Sequence, residues 1–237
     1  MKVSYPPRNM LTAGIVRSPM WWADSPGWSF WFVPGHADPI TVAGATNLDG
    51  LSGFGWVATS LAVTEGSGAD FLSSADLDPT RIITNGASDL LASPRIFGSY
   101  DHGLQAAEFL GYEPTKLILD LYGRFATASA NETTSFMGMA GPAVVDAAAA
   151  ASGGAFTSNG TNFIWVSDGA TDTGALIDTS FHRWKAVYTF GSTVEWFIDG
   201  ASQGTAAIEA DIWPLSFVMF AGTTNRPELV WLNIRYG

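Results

Sequence analysis

The 237-residue chain contains no cysteine, so no disulfide framework or thiol chemistry is available to it. Charged residues are scarce at 14%, and the basic ones scarcer still, with 11 Lys and Arg against 22 Asp and Glu. The resulting net charge of −11, with no basic run, excludes nucleic acid as an expected partner, because phosphate binding needs clustered cations. No stretch approaches the ~18 uninterrupted apolar residues needed to span a bilayer as a helix, and no membrane partner is expected. The first ten residues, MKVSYPPRNM, hold no apolar segment of signal-peptide length, which predicts a protein made in a cytoplasm and not exported by the general route. Two sequons, Asn131-Glu132-Thr133 and Asn159-Gly160-Thr161, are then read as ordinary polar turns.

Catalytic signatures are missing as well. His36, His102 and His182 are isolated, and there is no Gly-x-Ser-x-Gly elbow, His-Glu-x-x-His or phosphate loop. No acid, base or nucleophile stands out, so no enzymatic activity and no cofactor are expected. An oxygen-rich span, VSDGATDTGALID, places Asp168, Asp172 and Asp178 together. Such loops suit Ca²⁺, but the spacing matches no calcium loop, and the three remain weak metal candidates that turn chemistry also explains.

What is abundant is apolar and turn-forming. Hydrophobic content of 47% describes a packed globular protein, and 26 glycines with 12 prolines, in no fixed period, suit many turns between short strands. Alternation and turn chemistry predict strands over 116–125, 133–139, 162–167, 174–177, 184–190, 194–198, 203–208, 215–221 and 228–236, which is a sandwich or barrel. A short helix or a loop is expected over 143–151, where five alanines precede Gly153-Gly154. Residues 1–90 are set apart as an irregular extension with short strands. Residues 76–89 read as turns. Four of the ten tryptophans lie in PMWWADSPGWSFWFVPG, a proline-punctuated stretch. Trp21, Trp22, Trp28, Phe30 and Trp31 are the candidate interface, covered either by the sandwich or by a neighbouring subunit.

Residues 181–200, FHRWKAVYTFGSTVEWFIDG, predict a hairpin that ends in an Asp-Gly turn. A three-residue loop, Gly191-Ser192-Thr193, sets Phe190 opposite Val194, Tyr188 opposite Trp196, Ala186 opposite Ile198 and Lys185 opposite Asp199. That arrangement gives one apolar and one mostly polar face, which a one-residue slip would invert.

His182-Arg183-Trp184 followed by Trp196-Phe197-Ile198-Asp199-Gly200, with the strand Leu229-Val230-Trp231-Leu232-Asn233-Ile234, resembles the concanavalin A-like lectins and glucanases, the jelly-roll group with laminin-G-like modules. The resemblance implies an all-β antiparallel sandwich over 91–237, and one such fold hosts many functions. Laminarinase-type hydrolases of the group carry Glu-x-Asp-x-x-Glu on a strand, where i, i+2 carboxyls rise by about 6.7 Å and suit the roughly 5.5 Å of retaining chemistry. Here the one Glu-x-Asp pair, Glu209-Ala210-Asp211, has Pro214 in the third acid's place and follows the hairpin instead of preceding it. The pattern is similar to that of a tailed-phage virion protein assembled in a host cytoplasm. A capsid decoration or cement protein comes first and a tail-associated component second, with self or other virion proteins as partners. The alternative is a carbohydrate-binding module that engages glycans through exposed aromatics.

Overall fold

The computed structural model describes residues 29–32, 57–59, 61–64, 81–84, 89–93, 115–126, 135–141, 153–167, 170–207, 215–222 and 226–237. Fifteen strands account for most of them. Five precede residue 93: β1 (Ser29–Phe32), β2 (Val57–Thr59), β3 (Leu61–Thr64), β4 (Arg81–Thr84) and β5 (Asp89–Ala92). The middle of the chain gives β6 (Lys116–Phe125), β7 (Ser135–Ala140), β8 (Gly154–Ser158), β9 (Asn162–Ser167) and β10 (Ala170–Leu176). The remainder gives β11 (His182–Thr189), β12 (Thr193–Ile198), β13 (Ala201–Ala207), β14 (Ser216–Ala221) and β15 (Pro227–Tyr236).

All pairings are antiparallel and form two sheets, the β-sandwich that the sequence implied. The first sheet runs β13-β12-β11-β6-β15-β4-β3, with β1 also on β15, and the second runs β10-β9-β8-β7-β14-β5-β2. In chain order the described strands change sheet after β1, β2, β4, β5, β6, β10, β13 and β14, so each sheet is assembled from distant segments. The strands before residue 93 pair into both sheets, and the 90/91 boundary drawn from sequence lies inside β5. β4 lies within the segment that had read as turns, because a four-residue RIIT strand between Pro79 and Asn85-Gly86 is too short to show a period. The sequence pattern did not predict β8: Phe156 is the one large apolar residue of GAFTS, and Gly154, at φ +99°, opens a strand where a helix end is expected. The 143–151 segment lies outside the described residues.

The inner faces of the two sheets form one core, in which Trp165, Trp184, Trp196, Phe156, Phe163 and Phe217 are fully enclosed. Trp184 stands edge-on to Phe163, with ring centroids 4.8 Å apart, and to Phe125 at 5.7 Å. The outer face of the second sheet is also buried, around Phe136, Ile164, Val166, Val218 and Phe220. Its central strands are therefore apolar on both sides and show no alternation, whereas β11 and β12 of the first sheet alternate cleanly.

The β11–β12 hairpin keeps the expected faces but not the expected partners. Thr189 pairs with Thr193, Tyr188 with Val194, Ala186 with Trp196 and Trp184 with Ile198, and Lys185 faces Phe197 instead of Asp199. The tip is Phe190-Gly191-Ser192, closed by a hydrogen bond from Ser192 N–H to the Thr189 carbonyl, with Gly191 at φ +68°. A Gly191-Ser192-Thr193 loop would put a β-branched residue where three-residue hairpins want a left-handed conformation. The observed turn spans Thr189–Ser192 and gives the left-handed conformation to Gly191, the third of its four residues, and each partner shifts by two, which preserves the faces. The next turn, Asp199-Gly200, has both residues at positive φ, 50° and 84°, as a two-residue primed turn requires.

Candidate functional site

The outer face of the first sheet is laid out by register across β11, β6 and β15. Inward positions 117, 119, 121 and 125 of β6 belong to the core, so Ile118, Asp120, Tyr122 and Arg124 face outward. Arg183 pairs with Tyr122 and Trp231 pairs with Tyr122 from the other side, making one row across three strands. The row above it is Lys185, Asp120 and Asn233; Arg124 and Glu228 lie below. Directly opposed side chains stand about 5 Å apart.

Tyr122 stacks on Trp231, with centroids 6.3 Å apart and planes 21° from parallel, and meets Phe181 at 5.7 Å. Arg124 lies 4.4 Å above the Phe181 ring and donates from Nε to Glu228 at 2.7 Å. Tyr122, Phe181 and Trp231 are all part-exposed. Beside this aromatic row, Asp120 is held by two guanidinium groups. Arg183 donates from Nε and Nη2 to the two Asp120 oxygens at 2.9 and 2.6 Å, and Arg235 approaches from Nη1 at 3.5 Å while donating to Asn233 at 2.6 Å. The Asp120 side chain is 3% exposed and that of Arg183 is 56% exposed. The bidentate bond to Asp120 raises the Arg183 pKa further above its usual value, with burial working against it.

A second polar cluster closes the end of the same sheet. His182 Nδ1 lies 2.6 Å from Asp199 Oδ2, and Nε2 lies 2.9 Å from Asp178 Oδ1. Carboxylates only accept, so both contacts are satisfied together when both ring nitrogens carry protons, a state with no lone pair for general-base work. Burial lowers the His182 pKa, but its hydrogen bonds to Asp199 and Asp178, and their charges, outweigh it and leave the pKa raised. Burial likewise pushes Asp178 up, and the bonds from His182 and the Ser180 N–H bring it net below the usual value. Asp199 also accepts from Arg183 N–H at 2.8 Å, so the cluster ties the segment after β10 to the β12–β13 turn.

The sequence candidates are distributed differently. Asp172 accepts from Trp196 Nε1 at 2.7 Å, joining the edge of one sheet to the other, and crowds against Gly204, where any Cβ would strike its carboxylate. Asp178 belongs to the His182 cluster, and Asp168 lies outside the described residues. No group of three or more potential metal ligands occurs among the described residues. Trp21, Trp22 and Trp28 lie outside them too, as do Glu209 and Asp211. Phe30 and Trp31 fall in β1, where register sets them opposite Ile234 and Asn233 of the same chain. The outer-face set of Asp120, Tyr122, Arg124, Arg183, Trp231 and Arg235 was not anticipated. The signal was the alternation of KLILDLYGRF, whose polar positions spell Asp-x-Tyr-x-Arg.

No protein-family model and no curated protein matches the chain. Among solved structures it is similar to a conserved carbohydrate esterase from the Shiga toxin-encoding bacteriophage phi24B, with 13% identity and a TM-score of 0.50 over 81% of this chain and 95% of that one. It is also similar to a protein of unknown function from Shewanella oneidensis, with 10% identity and a TM-score of 0.51 over 100% of this chain and 96% of the other. The binding domain of botulinum neurotoxin serotype D shares 9% identity, with a TM-score of 0.44 over 73% of this chain and 42% of that chain. At these identities the likeness is one of fold.

Proposed function

We propose that this chain is a non-enzymatic virion protein of a tailed phage, and that its sandwich contacts glycans in a tail-associated position. The observation that carries the reading is the Arg183–Tyr122–Trp231 row, part-exposed aromatics on a sheet face edged by polar and charged side chains. Flat aromatic faces take the apolar face of a sugar ring, while fixed donors and acceptors beside them read its hydroxyls. The phage setting rests on the fold shared with the phage esterase. A capsid decoration or cement role is the alternative placement; β1, the described part of the tryptophan-rich stretch, pairs with β15 of its own chain. The non-enzymatic reading is supported by an imidazole occupied at both nitrogens.

Native mass spectrometry of the protein with a mixed oligosaccharide panel tests this. One glycan class is expected to bind, with loss of binding in Tyr122→Ala and Trp231→Ala variants whose melting curves remain cooperative. A discrete oligomer that ignores every sugar would restore the decoration reading. Release of acetate or of new reducing ends from the panel would make the protein an enzyme.

A further inference from the structure

The chain is strongly acidic, yet the candidate face is not. Among residues whose side chains are described, the outer face of the first sheet carries Lys116, Arg124, Arg183, Lys185 and Arg235, set against Asp120, Glu195 and Glu228. That is five of the chain's 11 basic residues and three of its 22 acidic ones, a reversal of the overall balance. Lys185 is occupied over the Phe197 ring at 5.1 Å, and Arg124 is neutralised by Glu228. The surplus is concentrated at Asp120, where two guanidiniums share one enclosed carboxylate.

Arg183 is the outermost member of that group. Its two bonds to Asp120 use two of the five guanidinium N–H donors and fix the fork on a more than half-exposed side chain. A cation whose orientation is set by a buried counter-charge loses little freedom when it meets an anion. In the register, Arg183 stands directly opposite Tyr122, and Trp231 stands on the far side of Tyr122. A ring seated on the aromatic pair therefore has a held guanidinium at its edge.

Resting on the glycan-binding reading above, we infer that the ligand is an acidic saccharide: a pyranose stacked on Tyr122 and Trp231 whose anionic group pairs with Arg183, with Arg235 behind it. A sugar carboxylate and a sugar phosphate offer the same chemistry to the fork. The long-range field works in the opposite direction, since a chain of net charge −11 repels anions. Binding is thus a matter of contact, and added salt screens attraction and repulsion together.

Isothermal titration of the full chain with three probes tests the inference: a uronic-acid trisaccharide, its carboxyl-reduced neutral counterpart, and a phosphorylated sugar. The uronate is expected to bind about tenfold or more tightly than its reduced form, the scale of one charged hydrogen-bonded pair. Arg183→Gln should erase that difference between the uronate and its reduced form. Arg183→Lys, which keeps the charge and loses the fork, should fall between the two, and it serves as the test if Arg183→Gln does not fold. Binding of the phosphorylated sugar but not the uronate supports the anionic site, with phosphate as its source. Equal affinity for the uronate and its reduced form overturns the inference while the glycan-binding reading stands. If none of the three probes, nor any member of the wider panel, binds, both fall.

Discussion

Trp165 and Trp184 are both fully enclosed in the same core, yet their indole N–H groups have different fates. Trp184 Nε1 donates to the Gly123 carbonyl at 3.0 Å, whereas Trp165 Nε1 has no hydrogen-bond partner among the described residues. Replacing each by Phe removes the same volume from the same aromatic cluster, so the packing cost is common to both and cancels in a comparison. The polar contributions do not cancel. Trp184→Phe loses a bond worth roughly 1 kcal/mol and strands a buried carbonyl, whereas Trp165→Phe removes a donor whose burial already costs about 1–3 kcal/mol. Trp184→Phe should therefore be less stable than Trp165→Phe by about 2 kcal/mol, or roughly 4–8 °C in Tm for a domain of this size. Urea unfolding followed by near-ultraviolet circular dichroism gives the two midpoints directly. If Trp165→Phe unfolds at the same urea concentration as Trp184→Phe, or earlier, the hydrogen-bond argument is wrong.

Other expectations follow from the turns and the His182 cluster. Because His182 titrates above its ordinary value of 6.5, its contribution is full below that pH and is lost as the pH rises through the folded value. Asp178, held below its ordinary 3.8, contributes above that pH and loses its contribution as acid takes the pH through the lower folded value. With both carboxylates half-exposed the effect is small, under about 1 kcal/mol, and it should show as a Tm gap between the native chain and His182→Gln that narrows from pH 6 to pH 9. A constant gap would mean that the ring is not charged. Gly138→Ala drives a Cβ to within 2.5 Å of Ala155 Cα, a backbone atom that cannot yield, whereas Gly200→Ala meets only its φ of +84°, with no atom within 4 Å. The second substitution should cost about 1–2 kcal/mol and the first clearly more, as urea midpoints would show.

What the sequence disclosed follows from how each strand is solvated. β6, β11 and β12 have one dry and one wet face, so Leu117–Leu121 and Trp184–Tyr188 alternate and could be placed to within two residues. β14 was legible by contrast as a continuous apolar run, SFVMFA. β8 and the strands before residue 93 are three to five residues long, and in such spans glycine, serine and threonine look like turn chemistry. The candidate site was hidden for a different reason. Asp120, Arg183 and Trp231 are far apart in sequence, and only the register of β11, β6 and β15 makes them neighbours. Pattern gives the face of a residue, but not its partner two strands away.

That register has a consequence for how the protein is made. β15 fills the slot between β6 and β4, yet about a hundred residues separate β6 from β15 along the chain. At typical elongation rates of about 5–20 residues per second, β6 waits on the order of 5–20 s on the ribosome with one long edge unclaimed. Through that interval the nascent chain presents Lys116–Phe125 as an open pairing template, guarded mainly by the charges of Lys116, Asp120 and Arg124. The residues that shape the candidate sugar face thus also serve as gatekeepers during synthesis, and removing them together should lower the soluble yield before any ligand is offered.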